Sequence, residues 1–255
     1  MPWRPDSIRM TSTNTKEARR TVDAPLPIGV LLSGNGSNLQ AIIEAIDRGW
    51  VNADIKIVIS SRTKAYGLTR AERAGLPTFS MTPQMYKDDP IAADELIARK
   101  LREAGCEYVI MAGYMRMVRK PILDAFPNRV INLHPALLPS FPGAHAIEEA
   151  YDAGVKVTGV TVHFANEVYD DGSIIAQVPI PVQQDWDQDD LENAIHKVEH
   201  KLYPEVVKML SEGRVTVRPD GKVAIDGKRP EIAPVASDGT CYVRHGIRVS
   251  KGYAW

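Results

Sequence analysis

Short apolar runs alternate with amphipathic stretches from Pro27 to about Leu133, and no other feature of the chain constrains its fold as much. Ile28 to Leu32 reads as a buried strand. Leu39, Ile42, Ile43 and Ile46 then recur at i, i+3, i+4 and i+7, which lines one face of a helix. Ile55 to Ile59 is the next strand, followed by a helix over Tyr66 to Ala74 that Gly75 closes. A weak strand at Thr78 to Ser80 leads to a helix over roughly Pro90 to Ala104, with Gly105 as its stop. Tyr108 to Met111 and Val130 to Leu133 are two more buried strands. Strands that are apolar on both faces and joined through helices predict an α/β fold, a mostly parallel sheet covered by helices on both sides. Ligands of such sheets sit beyond the carboxyl ends of the strands. The loops that begin at Ser33, Ala112 and Asn132 leave from ends of that kind.

Past Ala153 the pattern changes. Val157 to Phe164 and Ile174 to Val182 read as strands, joined closely enough by the acidic turn Glu167 to Gly172 to form an antiparallel element in the C-terminal half. Asp189 to Leu210 reads as a long helix buried along Leu191, Ile195, Val198, Leu202, Val206 and Met209, with Pro204 expected to kink it. A small hairpin around Asp220-Gly221 should follow Gly213, and the rest to Trp255 reads as a loosely attached tail. The expected organisation is therefore a poorly ordered extension over residues 1–26, a main domain over 27–213, and a hairpin with tail over 214–255.

A formal charge of -1 gives no global reason to expect nucleic acid or an anionic membrane as partner, so any anion must be bound locally. Cys106 and Cys241 lie far apart without metal-ligand spacing, which suits a reducing compartment. The N-terminal stretch is basic but lacks the apolar core of a signal peptide, and Asp6, Glu17 and Asp23 interrupt a transit-peptide pattern. No run approaches the roughly 20 apolar residues of a membrane span. These features predict a soluble, cytoplasmic protein.

Four local patterns carry chemistry. In Asn132-Leu133-His134-Pro135, strand period points Asn132 and His134 the same way, and Pro135 and Pro139 bracket a rigid turn, so an amide and an imidazole stand together where they could stabilise an oxyanion. A histidine that merely caps a loop is the alternative reading. Ser33-Gly34-Asn35-Gly36-Ser37-Asn38 lies between the first strand and first helix, where converging N–H groups and the helix dipole suit a phosphate. It matches neither an ATP P-loop nor a dinucleotide fingerprint, which leaves a monophosphate, or simple capping by Ser37 or Asn38. His163 ends a strand, and the Asp170-Asp171-Gly172 turn after it could bring a carboxylate to His134 and hold it charged, though acidic turns are usually only solvated. His196-Lys197-Val198-Glu199-His200 matches H-x-x-E-H, so a zinc hydrolase built on His196, Glu199 and His200 is an alternative function, although Val198 already belongs to the buried stripe and no further ligand is evident.

Taken in order, Gly34-Asn35-Gly36-Ser37-Asn38, Ala112-Gly113-Tyr114-Met115-Arg116, Asn132-Leu133-His134-Pro135 and Asp170-Asp171-Gly172 resemble the phosphoribosylglycinamide formyltransferases, folate-dependent enzymes of purine synthesis. The resemblance covers about Pro27 to Gly213. It implies a Rossmann-like formyltransferase fold, with phosphoribosylglycinamide as formyl acceptor and 10-formyltetrahydrofolate as donor, and no metal. It carries catalysis onto Asn132, His134 and Asp170, the acceptor phosphate onto Gly36, Ser37 and Asn38, and an acceptor contact onto Glu199. The folate is implied to lie along Met115, Arg116, Met117 and Val118, with Asn132. His196 stands where relatives carry other polar residues. Methionyl-tRNA formyltransferase and formyltetrahydrofolate deformylase would need a further domain after or before this unit, for which the reading finds no room. A phosphometabolite-binding protein that keeps the cradle without the chemistry is the non-enzymatic alternative.

Overall fold

Four largely apolar strands and one short, half-buried edge strand pair in parallel: β1 (Leu26–Leu32), β2 (Ala53–Ser60), β4 (Tyr108–Met111) and β5 (Val130–His134), with β3 (Thr78–Ser80) at the edge. β6 (Val157–Phe164) and β7 (Ile174–Pro181) extend the same sheet antiparallel, giving the order β3-β2-β1-β4-β5-β6-β7. The computed structural model describes residues 24–227 and, beyond them, only the backbone of three short strands at Glu231–Ile232, Tyr242–Arg244 and Ile247–Arg248. The extension expected over residues 1–26 and the tail beyond the hairpin thus lie largely outside the described residues.

Alternation along each strand feeds two cores. Ile28, Val30 and Leu32 of β1 join one cluster, whereas Leu31 faces the other. The first cluster takes Leu39, Ile42 and Ile43 from α1 (Ser37–Asp47), Ala71 from α2 (Tyr66–Arg73) and the stripe of α7 (Gln188–Ser211). The second takes Tyr86 from α3 (Pro83–Asp88), Ile97 and Leu101 from α4 (Pro90–Glu103), and Ile122 from α5 (Lys120–Ala125). Helices therefore cover both faces, as the doubly apolar strands require. All six expected stripe residues of α7 are buried, and the helix is continuous through Pro204. At its start Asp187 and Asp190 cap each other's backbone.

Three short helices escaped the periodicity argument: α3, α5 and α6 (Ala146–Asp152), which run for 6, 6 and 7 residues. A stretch under two turns shows no period. Only α3 carries a capping signal, Thr82 accepting the Met85 N–H just before Pro83, whereas α5 and α6 begin without a side-chain cap. β8 (Val215–Val217) and β9 (Val223–Ile225) form the hairpin around Asp220-Gly221. No helix among the described residues is long and apolar enough to cross a membrane.

The site is positioned by the strand order. The chain leaves β1 toward β2 and β3 on one side, then returns to place β4 on the other side of β1, so the loops after β1 and β4 open in opposite directions and leave a crevice. Fully buried Tyr203 of α7 ties β4 to β5, its hydroxyl lying 3.0 Å from both the Met111 and Ile131 carbonyl oxygens.

Candidate active site

Ser33 stitches the crevice together. Its N–H donates to Gly113 O at 3.0 Å, its Oγ accepts from Met115 N at 2.8 Å, and the same Oγ lies 2.6 Å from Ser61 Oγ. The glycine turn follows. Gly36 has φ of 75°, and a Cβ there would come within 2.6 Å of Gly67 Cα, so conformation and packing both demand glycine. α1 starts at Ser37 with no side-chain cap, which removes the simple capping reading of Ser37 and Asn38. Asn38 instead donates from Nδ2 to Glu199 Oε2 at 3.0 Å, and its Oδ1 is buried without a partner. Burial pushes the Glu199 carboxyl above its ordinary pKa, against the hydrogen bond from Asn38 and the nearby His196. Gly36, Ser37, Asn38 and Glu199 thus gather at one end of the crevice.

The second group is built by the β5–β6 register, which sets Asn132 opposite His163 and His134 opposite Thr161. Thr161 pins the following loop by donating to Ala136 O at 2.6 Å and accepting from Leu138 N at 3.1 Å. Asp170 reaches the same place from the turn beyond β6. There a Cβ on Gly172 would come within 1.6 Å of Phe164 O, and Asp170 itself has φ of 53°. Glycine is obligatory, and the turn aims Asp170 inward. Asp170 Oδ2 accepts from Gly143 N at 2.9 Å and lies 3.4 Å from His134 Nδ1, while Oδ1 accepts from Asn132 Nδ2 at 3.3 Å.

Hydrogen-bond partners assign the protons. An ionised carboxylate only accepts, so Asn132 must turn its Nδ2 toward Asp170. In its neutral form His163 carries its proton on Nδ1, which faces Phe164 O at 2.9 Å, so Nε2 accepts the second Asn132 N–H at 3.2 Å. His134 donates from Nε2 to Phe141 O at 2.7 Å, a carbonyl aimed by a residue with φ of 52°. Burial works to raise the Asp170 pKa, but His163, the Gly143 N–H and His134 outweigh it and hold the group below its ordinary 3.8. For His134 the balance runs the other way. Burial lowers it below 6.5 despite the pull of Asp170 and the Phe141 carbonyl, so the ring is neutral near pH 7. The expectation that a carboxylate of the acidic turn would hold His134 charged is not met, because desolvation outweighs the attraction of Asp170.

A narrow cleft of about 40 Å³, room for a few waters, runs beside this group. Arg116, Met117 and Val118 line it together with Asn132, His163 and Asp170, so most of the expected folate segment meets the catalytic candidates. Met115 does not line it: its N–H is held by Ser33 and its side chain is turned outward. The segment is fixed from behind, with Arg116 over the Tyr86 ring at 4.3 Å and Arg119 N donating to buried Asp94 at 3.0 Å. A larger cavity of about 640 Å³ lies between α1 and α7, away from these groups, and touches the glycine turn only at Ser37.

The H-x-x-E-H segment does not form a ligand set. His196 and His200 lie stacked, with ring centroids 6.1 Å apart, Glu199 is committed to Asn38, and no group of three or more potential ligands gathers among the described residues. His163 and the Gly143 N–H were given no place in the site by the sequence, and Ser33 entered only as the start of the glycine turn, not as the residue that ties it to Gly113 and Met115. His163 was visible as a strand-end histidine, but only the cross-strand register sets it against Asn132.

Residues 27–207 match the family model described as formyl transferase. The trifunctional purine biosynthetic proteins adenosine-3 of Drosophila melanogaster and Homo sapiens are 38% and 39% identical over 76% and 77% of this chain. The chain spans only 14% and 19% of their lengths. The phosphoribosylglycinamide formyltransferase of Bacillus subtilis is 39% identical over 71% of this chain and 92% of its own. In structure, the glycinamide ribonucleotide transformylase 1 of Symbiobacterium toebii superposes with a TM-score of 0.76 at 44% identity, covering 79% of this chain and 94% of that one. Crevice, glycine turn and the converging amide, imidazole and carboxylate thus stand on the framework these relatives share, and the chain belongs to the formyl transferase family.

Proposed function

We propose that the protein transfers the formyl group of 10-formyltetrahydrofolate to the primary amine of phosphoribosylglycinamide, a step of purine biosynthesis. The observation that carries this reading is the convergence of Asn132, His134 and Asp170 at the end of β5, beside the cleft lined by residues 116–118, in a chain with the relatives above. The catalytic unit is taken as residues 27–213, with 214–255 appended, and the protein is read as a cytoplasmic enzyme of small molecules that needs no metal. Bound phosphate at Gly36, Ser37 and Asn38, with Glu199 as a further acceptor contact, would supply binding energy that orients the amine. The formylated folate would lie along residues 115–118. Because the cleft is small, the exposed arm carrying Val168 and Tyr169 must yield to admit the ring system.

The residues suit the reaction. As the amine attacks, the new carbon–nitrogen bond pushes the carbonyl pair onto oxygen, and Asn132 trades one of its present N–H bonds for that oxyanion. His134, neutral at rest, gains a proton as negative charge develops beside it, because both its ring nitrogens already face oxygen acceptors in Phe141 O and Asp170. The proton comes from the attacking nitrogen and leaves with the folate nitrogen when the carbon–nitrogen bond to the donor breaks. Mixing purified protein with both substrates and following tetrahydrofolate by absorbance tests the reading. Release that requires the acceptor, with a formylated product by mass, is expected. Release without acceptor would show hydrolysis, and acceptor binding without release would show the non-catalytic alternative.

A further inference from the structure

The glycine turn is gripped from outside by a residue that no step of the chemistry uses. Arg70 of α2 donates from Nε to Asn35 O and from Nη2 to Asn35 Oδ1, both at 2.9 Å, and Nη1 reaches Gln40 Oε1 at 3.4 Å. Its guanidinium is seated over the Tyr66 ring at 4.9 Å. Beside it Gly67 N donates to Gly34 O at 3.1 Å, and Gly67 Cα is the atom that a Cβ on Gly36 would strike. The turn has little rigidity of its own, since exposed Gly34 has nothing near its Cβ position. All three hydrogen-bond partners of Arg70 are neutral oxygens, and it makes no ion pair among the described residues, so its charge is not cancelled by a carboxylate partner.

We infer that Arg70 is a positioning residue of the acceptor phosphate site, a two-pronged clamp that holds the turn so its N–H groups converge before the phosphate arrives, and that adds a permanent positive charge behind them. This rests on the acceptor reading given above. It differs from the known use of such turns in assigning part of the affinity to a side chain on α2 that grips the cradle.

Arg70→Gln removes the fork and the charge, whereas Arg70→Lys keeps the charge without the fork. Expected for Arg70→Gln is an acceptor KM raised about tenfold, with kcat at saturation and the formylfolate KM within about twofold of the parent, as for loss of one charge-assisted contribution. Arg70→Lys should recover only part of the loss. Inorganic phosphate, used as a competitive inhibitor, should weaken by the same factor. A residue that only braces the fold would lower the melting temperature without this split. An unchanged acceptor KM and phosphate inhibition constant in folded Arg70→Gln overturn the clamp. If that variant does not fold, Asn35→Ala, which removes one prong's acceptor, should raise the acceptor KM about threefold, and no change overturns it. If the parent turns over no phosphoribosylglycinamide, the proposed function fails, but phosphorus NMR titration with inorganic phosphate still decides the clamp: weaker binding to Arg70→Gln supports it, and equal or no binding to both proteins overturns it.

Discussion

Replacing Asp170 by Asn isolates the charge that the site turns on His134. In the resting site His134 is neutral because burial outweighs its acceptors, so the attraction of Asp170 for an imidazolium appears only as charge develops in the transition state. At the observed 3.4 Å, with an effective dielectric constant of about 20, that attraction is about 5 kcal/mol. If roughly half of the charge has developed, about 2.5 kcal/mol is lost, or close to 100-fold in turnover. His134→Ala removes the group that carries the charge and should cost at least as much, about 100-fold or more. Acceptor KM should stay near the parent value in both variants, because neither side chain belongs to the phosphate turn. Tetrahydrofolate release at saturating substrates measures all three proteins, and the double variant should be little worse than the worse single one. Fully multiplicative losses would refute the coupled pair, since the carboxylate would then act on something other than the ring.

Gly36→Val must relieve a 2.6 Å approach to the α2 backbone at a positive φ, so it should destabilise by about 1–3 kcal/mol and raise the acceptor KM at least about tenfold; an unchanged constant in folded protein would remove the turn from the site. Gly172→Ala places a Cβ 1.6 Å from Phe164 O and must shift the turn that aims Asp170, so turnover should fall about as far as in Asp170→Asn together with a lower melting temperature, and parental activity would show that this turn does not set the carboxylate. Stability should also depend on pH in a fixed direction. His134 is held below 6.5 in the folded protein, so the unfolded chain takes up the proton first, and stability present above about pH 6.5 is lost as pH falls through the folded value. Asp170, held below 3.8, keeps its contribution above about that pH and loses it as pH falls further. Melting curves of His134→Asn should therefore be flatter than the parent's as pH falls below about 6.5; parallel curves would contradict the buried neutral ring.

How far the chain could be read depends on the reach of each interaction. β1, α1 and the α7 stripe were legible because their signal is periodic and local, and strand alternation alone put Asn132 and His134 on one side of β5. Sequence could not rank Asp170 above Asp171. Resemblance chose it, and the structure supplies the physical reason: Gly172 pressed onto Phe164 O and a left-handed Asp170 turn the first carboxylate inward, whereas Asp171 remains exposed. The H-x-x-E-H spacing was sound helical arithmetic, yet Glu199 accepts its hydrogen bond from Asn38 across the fold, with His196 Nε2 only as near as 4.0 Å, and no set of metal ligands forms among the described residues. Arg70 and Asn35 are 35 residues apart and carry no motif between them, so only packing joins α2 to the turn. The state of His134 was the least legible of all, because it is set by what covers the ring. A carboxylate can be guessed from a motif, but desolvation is a property of the whole surrounding wall. That wall includes the loop carrying Phe141, seven residues away, whose conformation no periodicity records.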